Sequence, residues 1–416
     1  MQSLTENNAL LSSVASLSEQ DKPNGALIFC RVIDNFGDAG VTWRLARRCV
    51  ALGIPATLII DNLTVLQKLA PELTWVESDD PLDPNYWTDQ GVKVIDWTTF
   101  VEALEKNAPS LAADKLPDLV FETFGCRLPK RLEERLAERA NDPRLMTVNL
   151  EYLSAEDWVE NSHGIWGLHP SLPIKKLWFF PGFTDRTGGL IVEDELQGLL
   201  NKQLCPHTKT NCLKALGLNS DAITIFIFTY PKNELSQLVC ALKRLSCQQR
   251  INLMLAPGAA SDQLYHDLSH CSERIAIRKM PFVKQSEFDL LLRLSDVAFV
   301  RGEDSFARAQ LNGLPLVWSI YPTEDDAHLI KLEAWLTRLR GYFSTEEAYE
   351  CWSKLLRHWA HGELKPEDML EWFERLPEWK QVARRWQESL LHRGDVVQKI
   401  VSSWQQKTQE QGHEAS

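Results

Sequence analysis

From residue 26 onward, uninterrupted apolar runs alternate with stretches in which apolar residues recur every third or fourth position. The run ALIFCRVI (26–33) leads into the helical pattern VTWRLARRCVALG (41–53), then ATLIID (56–61) and a helix near LTVLQKLA (63–70). KVIDW (93–97), PDLVFETF (117–124), a helix at PKRLEERLAERA (129–140) and LMTVNLEYL (145–153) follow. A second cycle reads AITIFIFTYP (222–231), the helix ELSQLVCALKRL, INLMLAP (251–257), a helix near DQLYHDLSH, IAIRKMPF (275–282), the helix SEFDLLLRLS, DVAFVRG (296–302), the helix DSFARAQLNG and LPLVWSIY (314–321). Strand-helix-strand alternation predicts parallel sheets, so the chain reads as two similar α/β halves.

The Pro- and Gly-rich segment LWFFPGFTDRTGGLIVEDE (177–195) breaks the rhythm and reads as the link between the halves. Beyond Thr323 only amphipathic helical patterns remain, with seven of the fifteen tryptophans: Trp335, Trp352, Trp359, Trp372, Trp379, Trp386 and Trp404. At near-helical spacing these rings read as core anchors, because each buries a large apolar area. The expected organisation is a mobile tail or loosely packed extra helix over 1–23, Rossmann-like domains over 24–180 and 190–395, and a C-terminal helix and tail over 396–416.

The 416 residues exceed what one ordinary core organises, and 44% hydrophobic content suffices for two. With 45 basic against 57 acidic side chains, net charge −12, the chain lacks the cationic surface that nucleic acid demands. No apolar run reaches the roughly 18 residues of a membrane span, and the N-terminus lacks a basic, apolar leader, so a cytoplasmic location without membrane or nucleic-acid partners is expected. Nine cysteines are scattered without a CxxC pair, as reduced structural thiols.

Two stretches are candidates for chemistry. In IDNFGDAG, Asp34 and Asp38 fall where the first strand gives way to a helix, and Gly37 and Gly40 permit a tight turn. In open α/β sheets this is the ligand-binding edge. The acids either cap the helix or act chemically; two exceed what capping needs. They would repel phosphate, so the turn is no dinucleotide fingerprint and suits a neutral or cationic group. In VRGEDSFARAQLNGLP, the strand ends at Arg301 and a helix opens at Glu303 or Asp304, with Ser305 in its first turn. Helix amides, the dipole and the Ser305 hydroxyl there suit a diphosphate without metal, against the alternative of a simple capping cluster. Arg301 pairs either with that diphosphate or with Glu303. Tyr230 and Tyr321 end strands at the same predicted edge. TEDDAH (323–328) is the nearest approach to a metal cluster and reads as a loop and helix start.

The spacing Gly302, Ser305, Ala309, Gly313, Pro315 resembles the donor segment of GT-B glycosyltransferases. More specifically, FCRVIDNFGDAGVTWRLAR, NLEYLSAEDW, FFPGFTDRTGGL, MPFVKQSEFDLLLRLSD and VRGEDSFARAQLNGLPLVWSIYPTEDDAH resemble the EarP protein-arginine rhamnosyltransferases, in order, from about Ala26 to the end. The departure is an extra N-terminal segment of some twenty residues, which touches no motif. The resemblance implies an α/β GT-B fold, two Rossmann-like domains facing a cleft with a helical C-terminal segment, the first domain receiving elongation factor P and the second the nucleotide sugar.

It further implies transfer of L-rhamnose from dTDP-β-L-rhamnose to one arginine of elongation factor P, with inversion. Amides at the Glu303 helix start, with Ser305 and Tyr321, would stabilise the departing dTDP, so that no cofactor or metal is required. Asp34 and Asp38 match the acceptor-side acids, Asp38 as base and Asp34 orienting. Glu303, counted with them as catalytic, Asp304 and Ser305 match the donor-binding cluster; Phe282, Gln285 and Phe288 match the thymine pocket, with Arg301, Tyr321 and Tyr230 nearby. On the residues alone, the Phe282, Gln285 and Phe288 group fits either core packing or a stacked and edge-read pyrimidine. A nucleotide-sugar epimerase of GT-B architecture and a non-catalytic elongation factor P binding protein are the alternatives.

Overall fold

The computed structural model describes Ser18 and residues 21–202, 204–231, 235–323 and 326–414. The expected N-terminal tail thus lies largely outside the described residues, as do Glu324 and Asp325 of TEDDAH. The chain divides into two compact units; one holds the residues through Asp194 and those from His392 onward, the other Glu195–Leu391.

The first unit is built on nine strands: β1 (Ala26–Cys30), β2 (Ala56–Ile60), β3 (Thr74–Val76), β4 (Tyr86–Asp89), β5 (Val92–Asp96), β6 (Leu119–Thr123), β7 (Met146–Leu150), β8 (Trp166–Leu168) and β9 (Lys175–Phe179). Their order is β3-β4-β5-β2-β1-β6-β7-β9-β8, parallel from β5 to β9. Every residue of β1 is buried, as a central strand covered on both faces requires. Its alternation divides two cores. Ala26, Ile28 and Cys30 pack with Ala39, Trp43 and Ala46 of the helix Asn35–Ala51, while Leu27 and Phe29 pack with Phe100, Leu104 and Leu132 on the other face. The strand order reverses between β1 and β6, a switch point that leaves room for a ligand beyond the strands' carboxyl ends.

The second unit carries β10 (Ile223–Ile227), β11 (Ile251–Leu255), β12 (Ile275–Lys279), β13 (Val297–Arg301) and β14 (Leu316–Ser319), all parallel in the order β12-β11-β10-β13-β14. Here the order reverses between β10 and β13. A bidentate buried pair, Arg308 to Asp289 at 2.8 and 2.6 Å, ties the helix Asp304–Leu311 to the helix Gln285–Leu294.

All seven C-terminal tryptophans are buried, as their spacing predicts. The boundaries differ from the sequence reading in two respects. The expected linker begins inside β9, and its remainder stays with the first unit: Leu190 bridges to Asp395, and the Val192 amide donates to Asp395 Oδ2 at 2.8 Å. The helix Val396–Glu414 is not a detached tail, because Val396, Val397, Ile400, Val401 and Trp404 complete the first core. Ion pairs fix where the chain leaves and re-enters this unit: buried Arg44 to Glu193 at 2.7 Å, and buried Arg48 to Asp395 at 3.3 Å and to the exposed Asp194 at 2.7 Å. Among the described residues, no helix is long and apolar enough to cross a membrane, and all nine cysteines are free thiols.

Candidate active site

At the switch point of the first sheet, the chain leaves β1 at Cys30 and turns through Asp34, the N-cap of the helix Asn35–Ala51, whose side chain makes no cap bond. Capping runs in the reverse direction. Asp38, one turn into the helix, reaches back so that its Oδ2 accepts the amides of Ile33 at 2.7 Å and Asp34 at 2.8 Å. Gly37 leaves room for the Asp34 carboxylate, since a Cβ there would lie 2.6 Å from Asp34 Oδ2. Asp38 is 2% exposed and Asp34 is half-buried. Burial pushes the Asp38 carboxyl above its ordinary value, with the Asp34 charge adding to it. The two amide bonds and a bond from the Tyr152 side chain oppose the rise. The two acids therefore share one turn, and Tyr152, for which the sequence suggested no role, joins them from the end of β7.

At the switch point of the second sheet, β13 ends at Arg301, Gly302 turns at φ 61°, and Glu303 occupies the N-cap position of the helix Asp304–Leu311 without a side-chain cap bond. The Arg301 guanidinium lies 4.2 Å from the Phe228 ring centroid and 4.7 Å from that of Tyr230. Tyr230 in turn meets Tyr321 edge to face at 5.5 Å. Phe228 was missed in the sequence, although the alternation Phe226, Phe228, Tyr230 aligns it with Tyr230. The Ser305 hydroxyl departs from expectation: it donates to the Arg301 carbonyl and accepts the Arg301 amide at 3.1 Å. It closes the turn instead of offering its proton outward. Trp318 Nε1 holds the Gly302 carbonyl at 2.9 Å.

The expected thymine residues follow β12. Phe282 is 40% exposed and Gln285 4%. Phe288 is half-buried, edge-on to Phe226 at 5.4 Å and Phe228 at 6.4 Å. The structure thus links Phe288, Arg301, Tyr230 and Tyr321 through one aromatic cluster around Phe228, and keeps Phe282 as an exposed ring beyond it. Of TEDDAH, Asp326 stands at the N-cap position of the helix Ala327–Leu339 without a side-chain cap bond, and His328 Nδ1 accepts the Thr323 amide at 3.2 Å. Among the described residues, no three His, Cys, Asp or Glu side chains group as metal ligands would.

With this geometry established, known proteins give the context. A family model described as elongation factor P (EF-P) rhamnosyltransferase EarP matches residues 27–405. A protein-arginine rhamnosyltransferase of Shewanella oneidensis is 37% identical over 361 residues, covering 81% of this chain and 86% of its own. One of Pseudomonas putida is 34% identical over 387 residues, covering 90% and 97%. A solved structure described as the structural basis for EarP-mediated arginine glycosylation of translation elongation factor EF-P aligns at a TM-score of 0.56 and 24% identity, over 92% of this chain and 98% of that one. The fold is of the GT-B class: two α/β units with parallel sheets and a helical C-terminal region.

Proposed function

The chain belongs to the EarP family of elongation factor P rhamnosyltransferases, and from that premise we propose that it moves L-rhamnose from dTDP-β-L-rhamnose to one arginine of translation elongation factor P, with inversion. The observation that carries the mechanism is the acid turn: two carboxylates at a switch point, one of them almost wholly buried with a raised pKa.

Arginine is a poor nucleophile, because its pKa lies above about 12 and its lone pairs are delocalised, so no carboxylate deprotonates it at rest. Two carboxylates can instead grip the guanidinium and aim one nitrogen at the anomeric carbon. As that nitrogen bonds the carbon, the bond from carbon to the phosphate oxygen breaks and its electron pair leaves with dTDP. The acidified N–H then passes its proton to Asp38, whose raised pKa suits a base that acts late. Asp34, the more exposed of the pair, orients the arriving group.

In the second unit, Phe282, Gln285 and Phe288 take the thymine. The amides opening the helix Asp304–Leu311, with Arg301 and Tyr321, take the charge developing on the diphosphate, and Ser305 acts by shaping the turn. Glu303 sits at that helix start, beside the sugar's leaving group. Charge neutralisation by fixed dipoles and the Arg301 guanidinium needs no metal ion. This chemistry fits a cytoplasmic enzyme.

The test is the intact mass of elongation factor P after incubation with this protein and dTDP-β-L-rhamnose. A gain of one deoxyhexose on an arginine is expected. Conversion of the donor in the absence of acceptor would make the protein an epimerase, and tight binding of elongation factor P with no mass gain would make it a non-catalytic binder.

A further inference from the structure

The sheet order β1-β6-β7 sets three turns side by side at one rim. The turn after β6 is the unusual one. Phe124 holds φ 55° and Gly125 φ 71°, and a bulky residue with positive φ persists only where its surroundings enforce it. Here the Phe124 amide donates to the Leu150 carbonyl at 2.9 Å and the Cys126 amide to the Thr123 carbonyl at 3.0 Å. Thr123 Oγ1 donates to the Phe29 carbonyl at 2.7 Å. The strained turn lays the Phe124 ring, 6% exposed, flat against Tyr152 with centroids 4.6 Å apart and planes 18° apart. The Tyr152 hydroxyl bonds the Asp38 carboxylate, whose Oδ2 is already held by two amides.

We propose that Tyr152 is a positioning residue for the base: clamped on Phe124, its hydroxyl donates to the Asp38 carboxylate and fixes the orientation in which that carboxylate meets the acceptor nitrogen. This rests on the reading of Asp38 as base given above. The clamp explains why strain is maintained at Phe124, since a ring in ordinary backbone geometry would leave the tyrosine without its platform. The groups facing Asp38 are Asp34 from its own turn, Tyr152 from the end of β7 and the Cys30 thiol from β1. Asp61, after β2, and Cys126, after β6, reach the same thiol. Of the three facing Asp38, Tyr152 is the one placed to stabilise its anion; Asp34 opposes it, and Cys30 is held neutral by burial.

Tyr152→Phe keeps the stacked ring and removes only the hydroxyl. The acidic limb of its kcat/KM profile should move up by about one pH unit, the typical effect of one hydrogen bond to a charged group. Turnover at pH 7 should fall about 10- to 100-fold through misorientation, with the KM for dTDP-β-L-rhamnose unchanged. Phe124→Leu, which removes the platform and keeps the hydroxyl, should shift the limb the same way by less. A 13C titration of the Asp38 carboxyl, assigned by its loss in Asp38→Asn, should show the same upward movement without depending on turnover. An unmoved titration in Tyr152→Phe, or a fall in rate equal at every pH, would overturn the inference. Absent rhamnosylation by the wild type would instead strike the proposed function, and the titration would still decide the contact.

Discussion

Asp38→Asn separates a helix cap from a catalytic base. An Asn oxygen can take the same two bonds from the Ile33 and Asp34 amides that Asp38 Oδ2 takes at 2.7 and 2.8 Å. Only the charge is lost. Bonds to a charged acceptor contribute about 1.5–3 kcal/mol against about 0.5–1.5 for neutral ones, so the lost charge weakens each by about 1 kcal/mol. Against this stands the desolvation of a carboxylate that is 2% exposed. The raised pKa shows that desolvation wins. Because the folded value lies above the ordinary 3.8, the unfolded chain sheds its proton first as pH rises. The contribution to stability is therefore full below 3.8 and is lost as pH rises through the folded value. At neutral pH the ionised Asp38 costs stability, and Asn removes that cost. We expect the variant's Tm at pH 7 to equal the wild type's or exceed it by up to about 2–4 °C, the effect of about 1 kcal/mol in a unit of this size. Its turnover should fall by roughly two orders of magnitude or more. Its affinity for dTDP, whose proposed contacts lie in the other unit, should hold. Rhamnosylation of elongation factor P, calorimetric titration with dTDP and thermal melts read the three quantities. A near-wild-type rate would remove the base, and a Tm lowered by several degrees alongside lost activity would make Asp38 a structural cap.

Phe282→Ala should weaken dTDP binding by on the order of 1 kcal/mol with the fold intact, because an exposed stacking face is lost; unchanged affinity by calorimetry would put the thymine elsewhere. Turnover should survive EDTA, since fixed dipoles carry the leaving charge, and a loss restored by magnesium would reverse that claim. Burial, with the Lys399 charge, lowers His163 from 6.5 to about 4, while its Nδ1 accepts the Phe180 amide at 3.1 Å. A depressed histidine takes up its proton on unfolding, so the stability it supports is present above 6.5 and drains as pH falls toward about 4. His163→Gln should flatten the drop in Tm between pH 7 and 4.5, and an unchanged slope would exonerate this residue.

The central strands were legible because burial on both faces erases polar alternation: ALIFC and ITIFI announce themselves. So was the acid turn, since two carboxylates and a glycine after such a run have few structural uses. The strands β3, β4, β8 and β9 at the two ends of the sheet were not, because they leave Trp75, Trp166 and Trp178 exposed and carry no clear period. The return of the C-terminal helix to the first unit was equally hidden. Its apolar stripe shows that it packs, and only the long-range match to β1 and its helix shows where. Tyr152 escaped for a related reason: it acts through a neighbour brought by sheet order, which no local spacing encodes, whereas the alternation Phe226, Phe228, Tyr230 did mark Phe228 and went unread. Ser305 was seen, but its proton was assigned outward because a sequence cannot show that the Arg301 carbonyl is nearer.

The two switch points use the same topology toward opposite electrostatic ends. In the first, two amides near the opening of the helix, Ile33 and Asp34, turn onto the chain's own Asp38. A helix start that would otherwise attract an anion is thereby given one, and with Asp34 added it repels phosphate and draws a guanidinium. In the second, the turn is closed by a hydroxyl, Ser305, bonding both backbone groups of Arg301, and the guanidinium rests on the faces of Phe228 and Tyr230. Under the proposed function, discrimination between a cationic acceptor and an anionic donor rests on which side chain completes each turn, a carboxylate at one and a hydroxyl at the other, on two rims that the backbone builds alike.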